Sequence, residues 1–303
     1  MGNLQLELGH YKGTIKKTFL GVESPMAPFY ALIDYFSSKI GAKPSHLKWR
    51  SNTAWNAKKY KTETCYRFKD VELPLLDTKD ERQLLGHVFF ETLGPYLFFG
   101  NSYKEAYHYR YGSVFYGLET KDFKLVIEPE DVVIDAGSWI GDFAAYASCQ
   151  GATTYAFEPH PFTYKILCET AQMNSNIIPV NKGLGDSNEE IPFFTHDDRS
   201  IGNTFVQSAK GDNAELKLTV TTLDDFVEEN NLKKVDFIKS DIEGFERNLL
   251  RGAKNTLKRF SPKLAISTYH LPDDPQVLQE IILDTNPNYH IIHMPEILFA
   301  KVN

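Results

Sequence analysis

Apolar residues change their rhythm along this chain near residue 130. Before that point Phe29, Leu32, Ile33, Phe36 and Ile40 recur at helical spacing and predict an amphipathic helix from Pro25 to Gly41. Leu84, Leu85, Val88 and Phe89 do the same for residues 78–93. Between them, residues 42–64 are polar and basic and read as loop with weak helix, while residues 71–76 read as a strand or extended segment bounded by Pro74. The tyrosine-rich residues 103–116 have no clear period. Residues 1–125 are therefore expected to form a helix-rich N-terminal cap that carries the substrate region.

Residues 126–303 alternate instead between short apolar runs and helical patterns. Strands are predicted at 132–135, 154–157, 177–181, 235–239, 264–268, 289–293 and 297–301, with helices at 142–150, 161–174, 223–230, 244–258 and 275–284. Such alternation predicts an α/β domain of Rossmann-like type: a mainly parallel seven-stranded sheet with helices on both faces. Only Met294, Pro295 and Glu296 separate the last two strands, so they form a tight hairpin that puts an antiparallel strand at the sheet's end. The segments IPFFTH and ELKLTVTT, within residues 190–221, add an inserted strand pair around a Gly/Asn-rich loop. In that loop His196, Asp197 and Asp198 read as solvated, or as lining the ligand side.

The first strand–turn–helix unit carries the most specific local chemistry. Residues 132–148 read VVIDAGSWIGDFAAYAS and are followed by YAFEP, so a strand closes on Asp135 and the next ends on Glu158. A turn with an acid at that separation is the layout of a nucleotide-binding βαβ unit. A dinucleotide turn would need glycines at 137, 139 and 142, but position 139 is Trp and position 142 is Asp. A bulky ring and a negative charge oppose a pyrophosphate and suit a cationic, phosphate-free cofactor, so the turn reads as a site for S-adenosylmethionine (SAM). Gly137 and Gly141 would bring the turn close to the ligand, and backbone N–H groups at the helix start would hold the methionyl carboxylate. Glu158 would take the ribose hydroxyls. The bland alternative is a tight turn followed by an exposed acid.

Ligands in open α/β sheets lie beyond the C-terminal strand ends, which here are Asp135, Glu158, residues 182–186, Asp241 and His270. Residues 237–246, FIKSDIEGFE, bring Lys239, Asp241, Glu243 and Glu246 to one such end. Acids gathered this closely need a cation, a hydrogen-bond network or a substrate. Taken in order, residues 134–143 (IDAGSWIGDF), 157–159 (FEP), 222–224 (TLD), 239–246 (KSDIEGFE) and 267–274 (STYHLPDD) resemble the FkbM family of SAM-dependent methyltransferases, over roughly residues 110–303. That resemblance implies methyl transfer to a hydroxyl of a sugar, a glycan or a related natural product. It adds Ala136, Ser138, Asp142, Phe143, Pro159 and Asp186 to Asp135, Gly137, Gly141 and Glu158 as the candidate cofactor set.

A sugar hydroxyl is a weak acid, so the transfer needs a base or a metal. His270 is the candidate base, with Asp241 orienting it and Glu243 and Lys239 alongside. Asp241, Glu243 and His270 are equally candidate ligands of a divalent cation, and an acidic cluster paired with Lys239 is the structural alternative.

Composition narrows the remaining classes. With 33 Lys and Arg against 40 Asp and Glu, the net charge of -7 argues against a nucleic-acid partner. The 21 Phe, 16 Tyr and 3 Trp favour flat or sugar-like ligands. Three scattered cysteines form no disulfide framework and point to a reduced, cytoplasmic compartment. The first ten residues lack a signal-peptide pattern, Leu6 occupies the place where a myristoylation signal needs Ser or Thr, and no apolar run is long enough to span a membrane. A homo-oligomer stays open. The competing readings are an NAD-linked or nucleotide-sugar oxidoreductase, opposed by Trp139 and Asp142, and a catalytically inactive SAM-fold scaffold.

Overall fold

Seven strands build the central sheet of the computed structural model, which describes residues 58–68, 70–75, 117–119, 123–194, 214–294 and 296–302 together with Pro25, Met26 and Phe29. Four short strands come first: β1 (Cys65–Phe68), β2 (Val71–Pro74), β3 (Gly117–Glu119) and β4 (Lys124–Val126). The alternating part follows as β5 (Val132–Ala136), α1 (Asp142–Cys149), β6 (Thr153–Phe157), α2 (Pro161–Met173) and β7 (Ile177–Val180). Next come β8 (Gly183–Gly185), β9 (Glu189–Phe194), β10 (Ala214–Thr222), α3 (Leu223–Glu229) and β11 (Phe237–Ser240). The last elements are α4 (Glu246–Arg251), α5 (Lys254–Phe260), β12 (Lys263–Ser267), α6 (Asp274–Thr285), β13 (Tyr289–His293) and β14 (Ile297–Val302).

The large sheet runs β13-β14-β12-β11-β5-β6-β7, with parallel pairing from β12 through β7. Its strands read as unbroken apolar runs because both faces are covered. Val133, Phe237 and Ala265 point into one core with Phe143 and Ala144 of α1, while Ile134, Ile238, Leu264 and Ile266 point into the other with Leu249, Leu257 and Leu278. Successive residues thus serve opposite faces, as the two-residue period of a strand requires.

The terminal hairpin forms as expected, but its antiparallel strand is not at the edge. β14 lies between β12 and β13 and pairs antiparallel with both. The expected insert exists as antiparallel β9 and β10, and the unexpected three-residue β8 pairs parallel with β10. The helix expected at 244–258 is two helices, broken at Gly252. A Cβ on Gly252 would stand 1.9 Å from the Gly185 carbonyl oxygen, so this break is where the helical pair abuts β8.

Where the first 125 residues are described, residues 58–60 are helical and two antiparallel hairpins form, β1 with β2 and β3 with β4. Tyr66, Val71, Leu73, Phe123 and Leu125 are buried in the same core as α1. The helices expected at 25–40 and 78–93, the stretch 103–116 and residues 196–198 lie outside the described residues, apart from positions 25, 26 and 29.

Candidate functional site

The β5–α1 turn is built from residues in the left-handed region: Gly137 at φ 75°, Trp139 at 48° and Gly141 at 85°. A Cβ on Gly137 would lie 2.0 Å from the Asp241 carbonyl oxygen. The approach of the chain after β11 is by itself enough to require the glycine. Gly137 and Ser138 N–H groups donate to the Phe157 carbonyl at 3.1 and 2.9 Å, and Gly141 N–H donates to Ser138 at 2.7 Å. These turn donors are already used inside the protein, which leaves the first turn of α1 as the place for an anionic ligand group.

Behind the turn, Asp135 is fully buried with Lys239 Nζ 3.0 Å from its Oδ1. Lys239 also donates to the Gly137 carbonyl at 2.7 Å and lies 5.8 Å from the Phe143 ring centre. Burial acts to lower the lysine, but Asp135 and Asp241 outweigh it and hold it as an ammonium. Burial pushes the Asp135 carboxyl up while Lys239 and Ser138 oppose the rise. Ser138 Oγ bonds the Asp135 carbonyl at 2.9 Å. The structure thus makes Lys239 a buried strut between β5 and β11 rather than a group facing the crevice. Among the described residues, Asp135 Oδ2 and Asp142 Oδ2 are buried without a hydrogen-bond donor.

Glu158 ends β6 with its side chain turned inward. Its Oε2 accepts from Trp139 N–H at 3.0 Å, and its Oε1 accepts from His160 N–H at 2.9 Å and Thr163 Oγ1 at 2.8 Å. Burial raises this carboxyl to about 7 against the pull of those donors. Three of the roughly four acceptor positions of a carboxylate are filled, so Oε2 keeps one for a hydroxyl. Pro159 is half-buried, and its carbonyl accepts from Asn181 at 3.1 Å.

The next two strand ends meet in a second cluster. Asp241 N–H bonds the Ala136 carbonyl at 3.1 Å, which sets this cluster directly beside the turn. Asp241 Oδ1 accepts from Ser267 Oγ at 2.7 Å and Tyr269 OH at 3.1 Å. Glu243 at φ 55° and Gly244 at φ 99° reverse the chain sharply, and Glu246 then points back so that its Oε1 accepts from Ile242 N–H at 2.9 Å. His270 sits among these acids: Nε2 is 3.5 Å from Asp241 Oδ1 and 3.4 Å from Glu243 Oε2, and Nδ1 is 3.0 Å from Glu246 Oε1. Burial would lower the imidazole, but Glu243, Glu246 and Asp241 outweigh it and hold it at about 10. At neutral pH His270 is then an imidazolium tied to carboxylates, not the free base its sequence position suggests. The groups whose ligand atoms converge within 4.8 Å are Asp241, Glu246 and His270, so fully buried Glu246 replaces Glu243 in the expected set.

Asp186 and two residues of the TLD stretch have structural work. Asp186 is exposed and accepts from Asn248 at 3.0 Å, facing α4. Thr222 caps α3 by accepting from Asp225 N–H at 3.0 Å. Asp224 caps α5 through Asn255 and Thr256 N–H groups at 2.9 and 2.7 Å. Ser267 and Tyr269 are partners of Asp241 that the sequence pattern does not single out; their place at and two residues after the end of β12 is the available signal.

Residues 135–291, about half of the chain, match the family described as the methyltransferase FkbM domain. A hexuronic acid methyltransferase of Haloferax volcanii, AglP, is 31% identical over 158 residues, which cover 51% of this chain and 62% of that protein. Methyltransferase 1 of Beauveria bassiana is 29% identical over 147 residues, covering 41% of this chain and 59% of that protein. The chain thus spans less than two thirds of the length of these relatives. Methyltransferase FkbM from Methylobacillus flagellatus KT is similar in structure, with a TM-score of 0.47 and 23% identity over 75% of this chain and 56% of that one.

Proposed function

Because this chain belongs to the methyltransferase FkbM domain family, we propose that it transfers the methyl group of SAM to a hydroxyl oxygen of a sugar or glycan. The observation that carries the reading is the juxtaposition of a phosphate-free nucleotide turn with the carboxylate–imidazole cluster, joined through Asp241 N–H and the Ala136 carbonyl. Glu158 Oε2 takes a ribose hydroxyl, and the donor-less oxygen of Asp142 supplies negative potential for the cofactor's ammonium and sulfonium. In the transfer, a lone pair of the acceptor oxygen forms the new O–CH3 bond as the S–CH3 bond breaks. Bound SAM would leave as a neutral thioether, and the hydroxyl proton would pass to the Asp241 or Glu243 carboxylate beside the His270 imidazolium. Holding the oxygen in line with the S–CH3 bond supplies much of the acceleration.

The sugar class rests on the family, on the similarity to a hexuronic acid methyltransferase, and on acids beside the half-exposed ring of Tyr269, which suit hydrogen-bonding hydroxyls against an apolar sugar face. Radiolabelled SAM incubated with a panel of free sugars, uronic acids, nucleotide sugars and glycans tests it, with label expected in one of these. Label confined to protein or lipid fractions of an extract would overturn the acceptor class and leave methyl transfer standing. Calorimetry that detects NADH binding but no SAM binding would favour the oxidoreductase reading.

A further inference from the structure

We infer that Asp241, Glu246 and His270 form a binding site for one divalent cation of the Mn2+ class, placed where it would bridge the protein to the acceptor's oxygens. The inference rests on the methyltransferase reading only for what the cation would do, not for whether it binds. Glu246 is fully buried, and its Oε2 has no hydrogen-bond partner among the described residues. A buried carboxylate oxygen without a donor is costly unless a cation or a proton compensates it. The second observation concerns the imidazole. His270 nitrogens are buried and lie 3.0 to 3.5 Å from three carboxylates, and a bound cation would take the place of the imidazolium proton among them.

The dimensions agree. One ligand atom from each of Asp241, Glu246 and His270 lies within 4.8 Å of the others, close to the ~4–4.6 Å maximum spread set by metal–ligand bonds of about 2.0–2.3 Å. One imidazole with two carboxylates suits Mn2+ or Fe2+ better than Mg2+, which keeps to oxygen, and better than a thiolate-seeking ion. Ser267 and Tyr269 hydroxyls fix Asp241 Oδ1, and Ile242 N–H fixes Glu246 Oε1, so both carboxylates are held in place. Supporting hydrogen bonds of this kind orient ligands around a metal.

The test is Mn2+ titration of the full, chelator-treated chain without SAM, read by loss of the free Mn2+ electron paramagnetic resonance signal. One Mn2+ per chain is expected, with nitrogen coupling from His270 in the bound ion's spectrum. Glu246→Gln and His270→Gln should each weaken binding by at least about tenfold, the scale of losing a ligand or its support. The nitrogen coupling should vanish in His270→Gln. Circular dichroism verifies that each variant is folded, and the wild-type spectrum decides the question if neither variant folds. No Mn2+ uptake by the wild type below ~1 mM, the weak end of protein cation sites, overturns the site. So does bound Mn2+ that shows no nitrogen coupling. Calorimetry with demethylated SAM on the same samples separates the two readings: cofactor binding without Mn2+ uptake sinks only the cation site, whereas Mn2+ uptake without cofactor binding sinks the methyltransferase reading.

Discussion

Glu158 shows how one side chain ties protonation to ligand binding. Burial raises it to about 7, above the ordinary glutamate value, so the folded protein keeps a proton that the unfolded chain releases near pH 4.5. The sign follows: its contribution to stability is full below about 4.5 and is lost as pH rises through about 7. A ribose hydroxyl, in contrast, is best accepted by the ionised form. Affinity for demethylated SAM should therefore rise several-fold between pH 6 and pH 8, and Glu158→Gln should flatten the rise. A flat wild-type profile by calorimetry would remove Glu158 from the ribose site. Lys239 answers to a different measure, stability. Lys239→Gln leaves Asp135 buried without its cation and should cost about 3–5 kcal/mol in denaturant unfolding. At this scale the sequence identified the positions but not their states. It placed an acid at 158 and a histidine at 270, yet the donors around Glu158 and the carboxylates around His270 come from separate strands and helices, and only folding brings them together.

The elements were legible wherever burial was two-sided and apolar runs were long. All seven strands of the large sheet follow from alternation between apolar runs and helical patterns. β8 was not legible, because Gly-Leu-Gly has neither length nor period and pairs only through β10, far along the chain. The break at Gly252 was hidden for a related reason: the obstacle is a backbone carbonyl on β8. Gly252→Ala should consequently destabilise the fold by roughly 1–3 kcal/mol or more, although its φ of -81° suits alanine, and a lower melting temperature would show it. Asp224, in the TLD stretch that carries the family resemblance, caps α5 from a neighbouring helix. Asp224→Ala should cost about 1 kcal/mol of stability. The variant's affinity for demethylated SAM should stay within twofold of the wild type, and a larger loss would place Asp224 at the site.

Across the molecule, the division expected near residue 125 separates sequence patterns more cleanly than it separates cores. Tyr66, Val71 and Leu73 of the first hairpin share the apolar face of α1, and Asn174 at the end of α2 exchanges hydrogen bonds with the backbone of Glu72 at 3.1 and 2.7 Å. These contacts join side chains a hundred positions apart, so no local period announces them. No described helix is long and apolar enough to cross a membrane. The strand order has a further consequence for how the protein comes into being. β14 fills the gap between β12 and β13, and Thr268 N–H, two residues before His270, donates to the Glu296 carbonyl at 2.9 Å. During synthesis β12 keeps an open hydrogen-bonding edge, and the chain leading to His270 lacks this anchor, until residues 296–302 emerge from the ribosome. Until then β12 presents an unpaired strand edge, a surface prone to pairing with other chains.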